Sequence, residues 1–375
     1  MIPFVVQNGD LYYNTINGTL VKGVGALERN GFFSAEDPDT LADSVRIKMP
    51  RGDLSRISTV TLFTTTDCNA KCSYCYEKGF RRVAMTEKVA RDAAEWIADR
   101  SDNVSIRLFG GEPLMNRTAI DAVCKTLKER GVKYKTSVVT NGLLLTNIPI
   151  SWHLRKAQIT LDGVGDNYLK EKGFKIDRAL ENIRSAIDDG IKVIIRLNVS
   201  KDNVSSLLEV CDLIASEPGL TGYAHELFEE NPNYEGVNLV NKRLMDLNVC
   251  SETRLPKYRD GFCMADQGKA VCITPEGNLT LCEHHCEDEI IGSIYSDSID
   301  WNVAMTWREF VPQNEECKLC FYRPICHKLR KCVESFDTCT EDYRSFKYKE
   351  IQQKMEYIAK NALRKKVKTL GSHES

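Results

Sequence analysis

Between about residues 58 and 230, short apolar runs rich in β-branched residues alternate with stretches whose apolar positions recur at helical spacing. The runs predict strands at 59–63, 104–109, 136–139, 158–161, 193–199 and 222–227. The intervening stretches predict helices at 86–100, 118–130, 176–189 and 204–216. In the third, Ile176, Ala179, Leu180, Ile183, Ala186 and Ile187 share one helical face. Gly131 and Gly190 stand where helices should stop. The strands are near-continuously apolar, the pattern of a sheet covered on both faces. Six such strand–helix units predict an α/β fold built on a parallel barrel or partial barrel.

The flanks differ in character. Residues 1–57 read as a small β-rich region, with reversals at Asn8-Gly9-Asp10 and Asn17-Gly18. The barrel is expected over 58–260. Residues 261–345 are cysteine-rich with little periodicity, so metal clusters rather than a hydrophobic core are expected to hold them. Helical character begins near Glu341, and 346–375 is read as a C-terminal helix and tail ending in Arg364, Lys365, Lys366 and Lys368.

Lys and Arg number 51 against 53 Asp and Glu, a formal charge of −2. No basic excess offers itself to nucleic acid, and no apolar run approaches the roughly 18 residues of a membrane span. The start, Met1-Ile2-Pro3-Phe4, has no signal-peptide character, so a cytoplasmic location is expected. Against that background fifteen cysteines are too many for packing alone. Their odd number and their clustering in a reducing compartment point to metal thiolates rather than disulfides.

Cys68, Cys72 and Cys75 follow the first predicted strand, at the barrel end where such folds keep their chemistry. A structural zinc site or an ordinary [4Fe–4S] cluster takes four protein ligands. Three leave one iron open. This C-x3-C-x2-C spacing, with Tyr74 just before the third cysteine, resembles the radical S-adenosylmethionine (SAM) superfamily. Gly110-Gly111-Glu112-Pro113 resembles that family's GGEP loop, and Asn141, Thr160 and Arg196 (with Asn198) fall at the ends of later strands. The resemblance covers about residues 58–230. It implies that the three cysteines hold a [4Fe–4S] cluster whose open iron chelates SAM. It further implies that Tyr74, Gly110, Gly111, Glu112, Pro113, Asn141, Thr160 and Arg196 bind that cofactor. Glycine at 110 and 111 would let backbone carbonyls approach the SAM ammonium closely.

Cys263, Cys282, Cys317, Cys320, Cys326, Cys332 and Cys339, with Gly292-Ser293-Ile294 and Trp307, resemble a SPASM domain, the auxiliary-cluster module of many peptide-modifying members. The turn at Gly277 would bring Cys272 and Cys282 together across a hairpin. The resemblance implies two auxiliary [4Fe–4S] clusters, one on Cys263, Cys272, Cys282 and Cys332, the other on Cys317, Cys320, Cys326 and Cys339. Cys286 competes for the first set, and Cys326 and Cys332 are more widely spaced than usual in the family. Zinc is the rival occupant. Cys124 and Cys211 read as small buried hydrophobes. Glu283 follows Cys282 and, as in related sulfatase-maturing enzymes, would serve as the base toward substrate; a plain polar turn with His284 and His285 is the alternative.

The expected fold is thus a partial (β/α)6 radical SAM barrel between a small β-rich region and a cysteine-rich iron–sulfur domain. The expected activity is radical oxidation of a ribosomally made precursor peptide, installing a thioether, C–C or C–O cross-link. The segment 11–21 resembles the opening of maturases that capture a leader peptide as an added strand. Partners implied are that peptide and an electron donor such as flavodoxin or ferredoxin, with neither nucleic acid nor membrane. Oxidation of Cys or Ser to formylglycine in a sulfatase is the alternative chemistry. A non-catalytic iron–sulfur carrier is the other reading, and it has no need of an open iron.

Overall fold

The structure, a computed structural model, describes residues 4–30, 54–227, 232–257, 265, 268–285, 289–306, 316–317, 320–326, 328 and 339–371. The N-terminal reversals produce a three-stranded antiparallel meander, β1 (Val5–Asn8), β2 (Leu11–Asn14) and β3 (Leu20–Lys22), followed by a short α1 (Gly25–Arg29). Gly9 and Gly18 take positive φ at the two turns.

The central segment then winds a parallel sheet. Strands β4 (Thr59–Thr65), β5 (Asn103–Gly110), β6 (Lys133–Thr140), β7 (Leu154–Thr160), β8 (Lys192–Val199) and β9 (Thr221–Glu226) are neighbours in that order. Helices α2 (Glu87–Ala98), α3 (Arg117–Glu129), α4 (Gly165–Lys172), α5 (Ile176–Asp188), α6 (Val204–Ser216) and α7 (Tyr234–Asp246) fill the crossovers and follow β9. Thr86 and Asn116 cap α2 and α3 by accepting from the amides of Val89 and Ala119. Gly131 ends α3 with φ +73°, its amide bonded back to Lys128 while Val132 bonds to Leu127. One core joins Leu62, Ile106, Leu108, Ile159, Ile195 and Leu197 from the strands to Ile97, Ile120, Ile183 and Ile214 from the helices. Each such side chain contributes about 1.5–3 kcal/mol on burial. Cys124 and Cys211 are buried in this core, as expected for small hydrophobes.

The cysteine-rich region is not separate from the sheet. β10 (Ala270–Ile273) pairs in parallel with β4, Ala270 opposite Thr59 and Ile273 opposite Leu62. β11 (Asn278–Thr280) and β12 (Gly292–Ser293) extend it antiparallel, giving the order β12-β11-β10-β4-β5-β6-β7-β8-β9. Val271, Ile273, Leu279, Leu281 and Ile291 belong to the main core. The expectation that clusters alone would hold this region is therefore corrected for 270–294. The four-residue run Ala270-Val271-Cys272-Ile273 was too short to stand out by periodicity, and β4 supplies the partner that makes it a strand.

A short α8 (Trp301–Thr306) precedes the long α9 (Glu341–Gly371). Helix α9 binds the N-terminal meander to the barrel. Tyr348 accepts from the Gln7 amide at 2.9 Å, Phe346 stacks on Tyr234 at 4.7 Å, and Ile351 and Met355 pack with Val6, Tyr13 and Phe321. Beneath it Lys347 pairs with Glu226 (3.6 Å) and Glu350 (3.3 Å), and Lys354 with Glu350 (2.6 Å). The side chains of the basic residues 364–368 lie outside the described residues. Among the described residues no helix is long and apolar enough to cross a membrane.

Candidate active site

At the C-terminal mouth of the barrel opens a cavity of about 450 Å³. Cys68, Cys72, Tyr74 and Cys75 form one wall of it, and all three thiols are half-buried. Gly110, Gly111, Asn141 and Thr160 line it too, each from a strand end or the turn after it, and Arg196 from within β8. Burial pushes the Cys68 thiol up to about 11 and raises Cys75, so these groups become thiolates only with a cation to hold them.

The two glycines are required by the cysteine loop itself. A Cβ on Gly110, whose φ is +118°, would lie 2.0 Å from the Thr65 carbonyl oxygen, and one on Gly111 would lie 2.2 Å from that of Asp67. The amides of Gly111 and Glu112 bond to those same carbonyls, at 3.0 and 2.8 Å. Besides lining the cavity, the glycine pair permits this close approach between two chain segments, which fixes the loop against β5.

Glu112 and Pro113 do not line the cavity. The Glu112 carboxylate turns into the protein and accepts from Thr140 Oγ1 (2.8 Å) and from the amides of Asn141 (2.9 Å) and Leu114 (3.1 Å). It clamps the end of β5 to the end of β6. Asn141 in turn donates to Asn69 Oδ1 at 2.7 Å and ties β6 to the cysteine loop. Burial pushes the Glu112 carboxyl from 4.5 up to about 7 against the hydrogen bonds of Asn141, Thr140 and Leu114. Between about 4.5 and 7 the folded chain holds a proton the unfolded chain has lost. Stability is therefore expected to fall, by on the order of 3 kcal/mol, as pH rises through that window and to level off above it. Urea denaturation of wild type and Glu112→Gln across the window checks this, since the variant should lack the slope.

Arg196 bonds Asn198 Oδ1 at 2.8 Å and stands in register with Thr160 on the adjacent strand. Glu283 reaches the cavity from the turn after β11 and pairs with Arg107 of β5 at 3.5 Å. Its neighbour His284 stacks on Tyr76 with centroids 4.0 Å apart, so the turn leans on the chain just beyond Cys75.

Sequence reasoning missed Lys172, Asp162, Arg107 and Lys156. Lys172 and Asp162 are both buried and pair at 2.7 Å behind Tyr74. Burial alone would drive the Lys172 ammonium toward neutrality, but Asp162, Tyr74 and Cys72 outweigh it and hold it well above the usual lysine range. Arg107 and Lys156 line the inner wall, each opposite Ser137 on β6. Lysines and arginines on strands read as solvent-facing, and only the folded sheet shows that these two line a cavity.

Of the auxiliary cysteines, Cys272 is fully buried against Phe63, with Phe80 and Phe109 beside it, and it sits opposite Thr280, two residues before Cys282. Burial raises the thiols of Cys320, Cys326 and Cys339, and Cys317 lies close enough to each of them to add to the rise. Cys263, Cys286, Cys332, Trp307 and the His285 side chain lie outside the described residues. Among the described residues no three Cys, His, Asp or Glu side chains converge as a single ion requires; a cube presents its irons at separate corners and asks less.

Residues 62–214 match the radical SAM superfamily. A "Probable GTP 3′,8-cyclase" of Saccharolobus islandicus is 30% identical over 236 residues, covering 57% of this chain and 73% of that protein. The chain belongs to the radical SAM superfamily. An Fe-coproporphyrin III synthase of Methanosarcina barkeri is 28% identical over 166 residues, 41% of this chain and 40% of that one. The fold matches native anSMEcpe with bound AdoMet and Cp18Cys peptide at TM-score 0.59 and 18% identity, over 81% of this chain and 99% of that one. It also matches Streptococcus suis SuiB bound to precursor peptide SuiA at 0.57 and 15%, over 85% and 91%. As a radical SAM enzyme the chain implies SAM and a [4Fe–4S] cluster. The donor chemistry fits: three half-buried thiols share one cavity wall, with a buried ammonium against the middle one, while Cys124 and Cys211 are sealed in the core.

Proposed function

We propose that this radical SAM enzyme is a peptide maturase. It oxidises a ribosomally made precursor peptide at an unactivated C–H position and installs a cross-link, thioether or carbon-based. In this reading Cys68, Cys72 and Cys75 hold the SAM-binding cluster. Bound there, the cluster would supply the electron that cleaves SAM to a 5′-deoxyadenosyl radical. Arg196 meets the SAM carboxylate, and Tyr74, Thr160, Asn141 and the Gly110-Gly111 backbone shape the pocket around the cofactor. Glu112 and Pro113 act from behind that wall, Glu112 by holding the ends of β5 and β6. Glu283, on the cavity and paired with Arg107, accepts the proton released as the substrate is oxidised.

The observation that carries the reading is the joining of a cysteine-rich segment to the barrel sheet through β10, which puts Glu283 on the same cavity as the three-cysteine loop. Cys317, Cys320, Cys326 and Cys339 form one auxiliary [4Fe–4S] site in this reading, and Cys263, Cys272, Cys282 and Cys332 the other. The proposed division is 1–57, 58–260, 261–345 and 346–375, with β10–β12 of the third part joined to the barrel sheet, in a cytoplasmic enzyme reduced by flavodoxin or ferredoxin. The extent of structural likeness to two peptide-bound proteins, above 80% of the chain, supports a peptide over a nucleotide. The GTP 3′,8-cyclase relatives favour a second reading, a purine nucleotide in the same cavity.

Anaerobic incubation with SAM and dithionite should yield 5′-deoxyadenosine, and mass spectrometry of a co-expressed candidate peptide should register loss of two hydrogens. SAM cleavage that consumes GTP while peptides stay unchanged would select the nucleotide reading. Glu283→Gln should keep SAM cleavage while lowering peptide modification about 10²–10⁴-fold, the usual worth of a general base. Equal loss of both activities would remove Glu283 from that role.

A further inference from the structure

Lys172 ends α4, in a stretch so polar that only Tyr168 and Lys172 of its eight residues are buried. The residue is 2% exposed; its ammonium pairs with Asp162 Oδ2 at 2.7 Å and donates to the Tyr74 hydroxyl at 3.0 Å and to Cys72 Sγ at 3.4 Å. The Tyr74 hydroxyl itself donates to Asp162, which locks the phenol and the carboxylate around the cation. The ammonium also lies 5.6 Å from the centroid of the Tyr74 ring. The ring is therefore held between the cysteine loop and the ion pair.

A buried ion pair costs stability relative to an apolar pair of similar volume. What the pair does supply is a fixed positive charge in contact with a ligand sulfur, in surroundings where charge is poorly screened. Hydrogen bonds and charges at cluster sulfurs are among the levers that set iron–sulfur potentials.

We propose that Lys172 is a positioning residue that sets the reduction potential of the cluster on Cys68, Cys72 and Cys75. It does so by donating to the Cys72 sulfur and stabilising the added negative charge when one electron arrives from the external reductant. No bond forms or breaks in this step. Asp162 orients the ammonium and partly offsets its charge. The proposal rests on reading the three-cysteine loop as the SAM-binding cluster site.

Wild type, Lys172→Gln, Lys172→Arg and Asp162→Asn are reconstituted anaerobically as holoenzymes. Iron content is measured, and a redox titration followed by electron paramagnetic resonance tracks the signal that changes when SAM is added. Lys172→Gln should shift the midpoint of that signal to lower potential at undiminished iron, Lys172→Arg should restore it toward wild type, and Asp162→Asn should shift it upward. Opposite shifts on removing the two charges are not what loss of packing would give. An unchanged midpoint in Lys172→Gln, or a shift of the same sign in Asp162→Asn, overturns the proposal. If Lys172→Gln fails to load iron, Asp162→Asn decides, an upward shift supporting the proposal and any other result ending it. Persistence of the SAM-responsive signal in Cys72→Ala would instead defeat the cluster-site reading, and the proposal with it.

Discussion

Alanine at Cys72 is expected to reduce 5′-deoxyadenosine formation to background and to remove about four irons per chain, one cluster's worth. Cys72 is the middle anchor of the loop and the one whose sulfur meets Lys172. In the proposed reading Cys68, Cys72 and Cys75 are the three protein ligands, and the two that remain would not hold the cluster. Its loss also leaves the buried Lys172 ammonium one acceptor short, at a further cost of about 1–3 kcal/mol. Cys124→Ala is the proper control. Cys124 is buried in the core, and its removal should cost roughly 1 kcal/mol of stability while leaving iron and SAM cleavage intact. Iron analysis with chromatographic quantitation of 5′-deoxyadenosine separates the two. Full iron and undiminished cleavage in Cys72→Ala would end the assignment of this loop.

Gly110→Ala should be the most damaging single methyl in the barrel. Two costs add at this position: a φ of +118° that L-residues rarely adopt, and a Cβ placed 2.0 Å from the Thr65 carbonyl oxygen. The Thr65 carbonyl is backbone, not a flexible side-chain end that could swing aside. Relief requires the end of β4, and with it the cysteine loop, to move away from β5. A destabilisation on the order of 2–5 kcal/mol is expected, with impaired iron loading. Gly131→Ala provides the contrast: its φ is +73° but nothing lies within 4 Å of the added carbon. It should cost only about 1 kcal/mol. Urea midpoints of the two variants measure the difference, and equal midpoints would remove the steric account of the glycine pair.

The barrel was legible because its signals are local. The strand at 193–199 appears as Lys192–Val199, and the helix at 204–216 appears as Val204–Ser216. Helix α4 was not, since eight residues with two buried positions carry no periodicity to read. Helix α7 was overlooked although Val237, Val240 and Leu244 do fall on one face, and Asn233 caps it by accepting from Gly236. The site divides along the same line. Cysteine spacing and the glycine pair are written in consecutive residues, whereas Lys172 reaches Cys72 across 100 positions and Arg107 of β5 meets Glu283, which follows β11 three strands along the sheet. Such partnerships are made by the tertiary fold and leave no mark on composition. Glu112 was visible as part of its motif, but the direction of its carboxylate was not.

The seam between β4 and β10 has a kinetic consequence. Ser58 and Lys269 meet there although 211 positions separate them in the chain. During synthesis the outer edge of β4 must wait, unpaired, until the residues some 211 positions further on have left the ribosome. An open apolar edge is an invitation to intermolecular pairing, and contacts so distant in sequence form slowly. Yield in a heterologous host is thus expected to depend on how quickly that late hairpin arrives, independently of how much iron the culture provides.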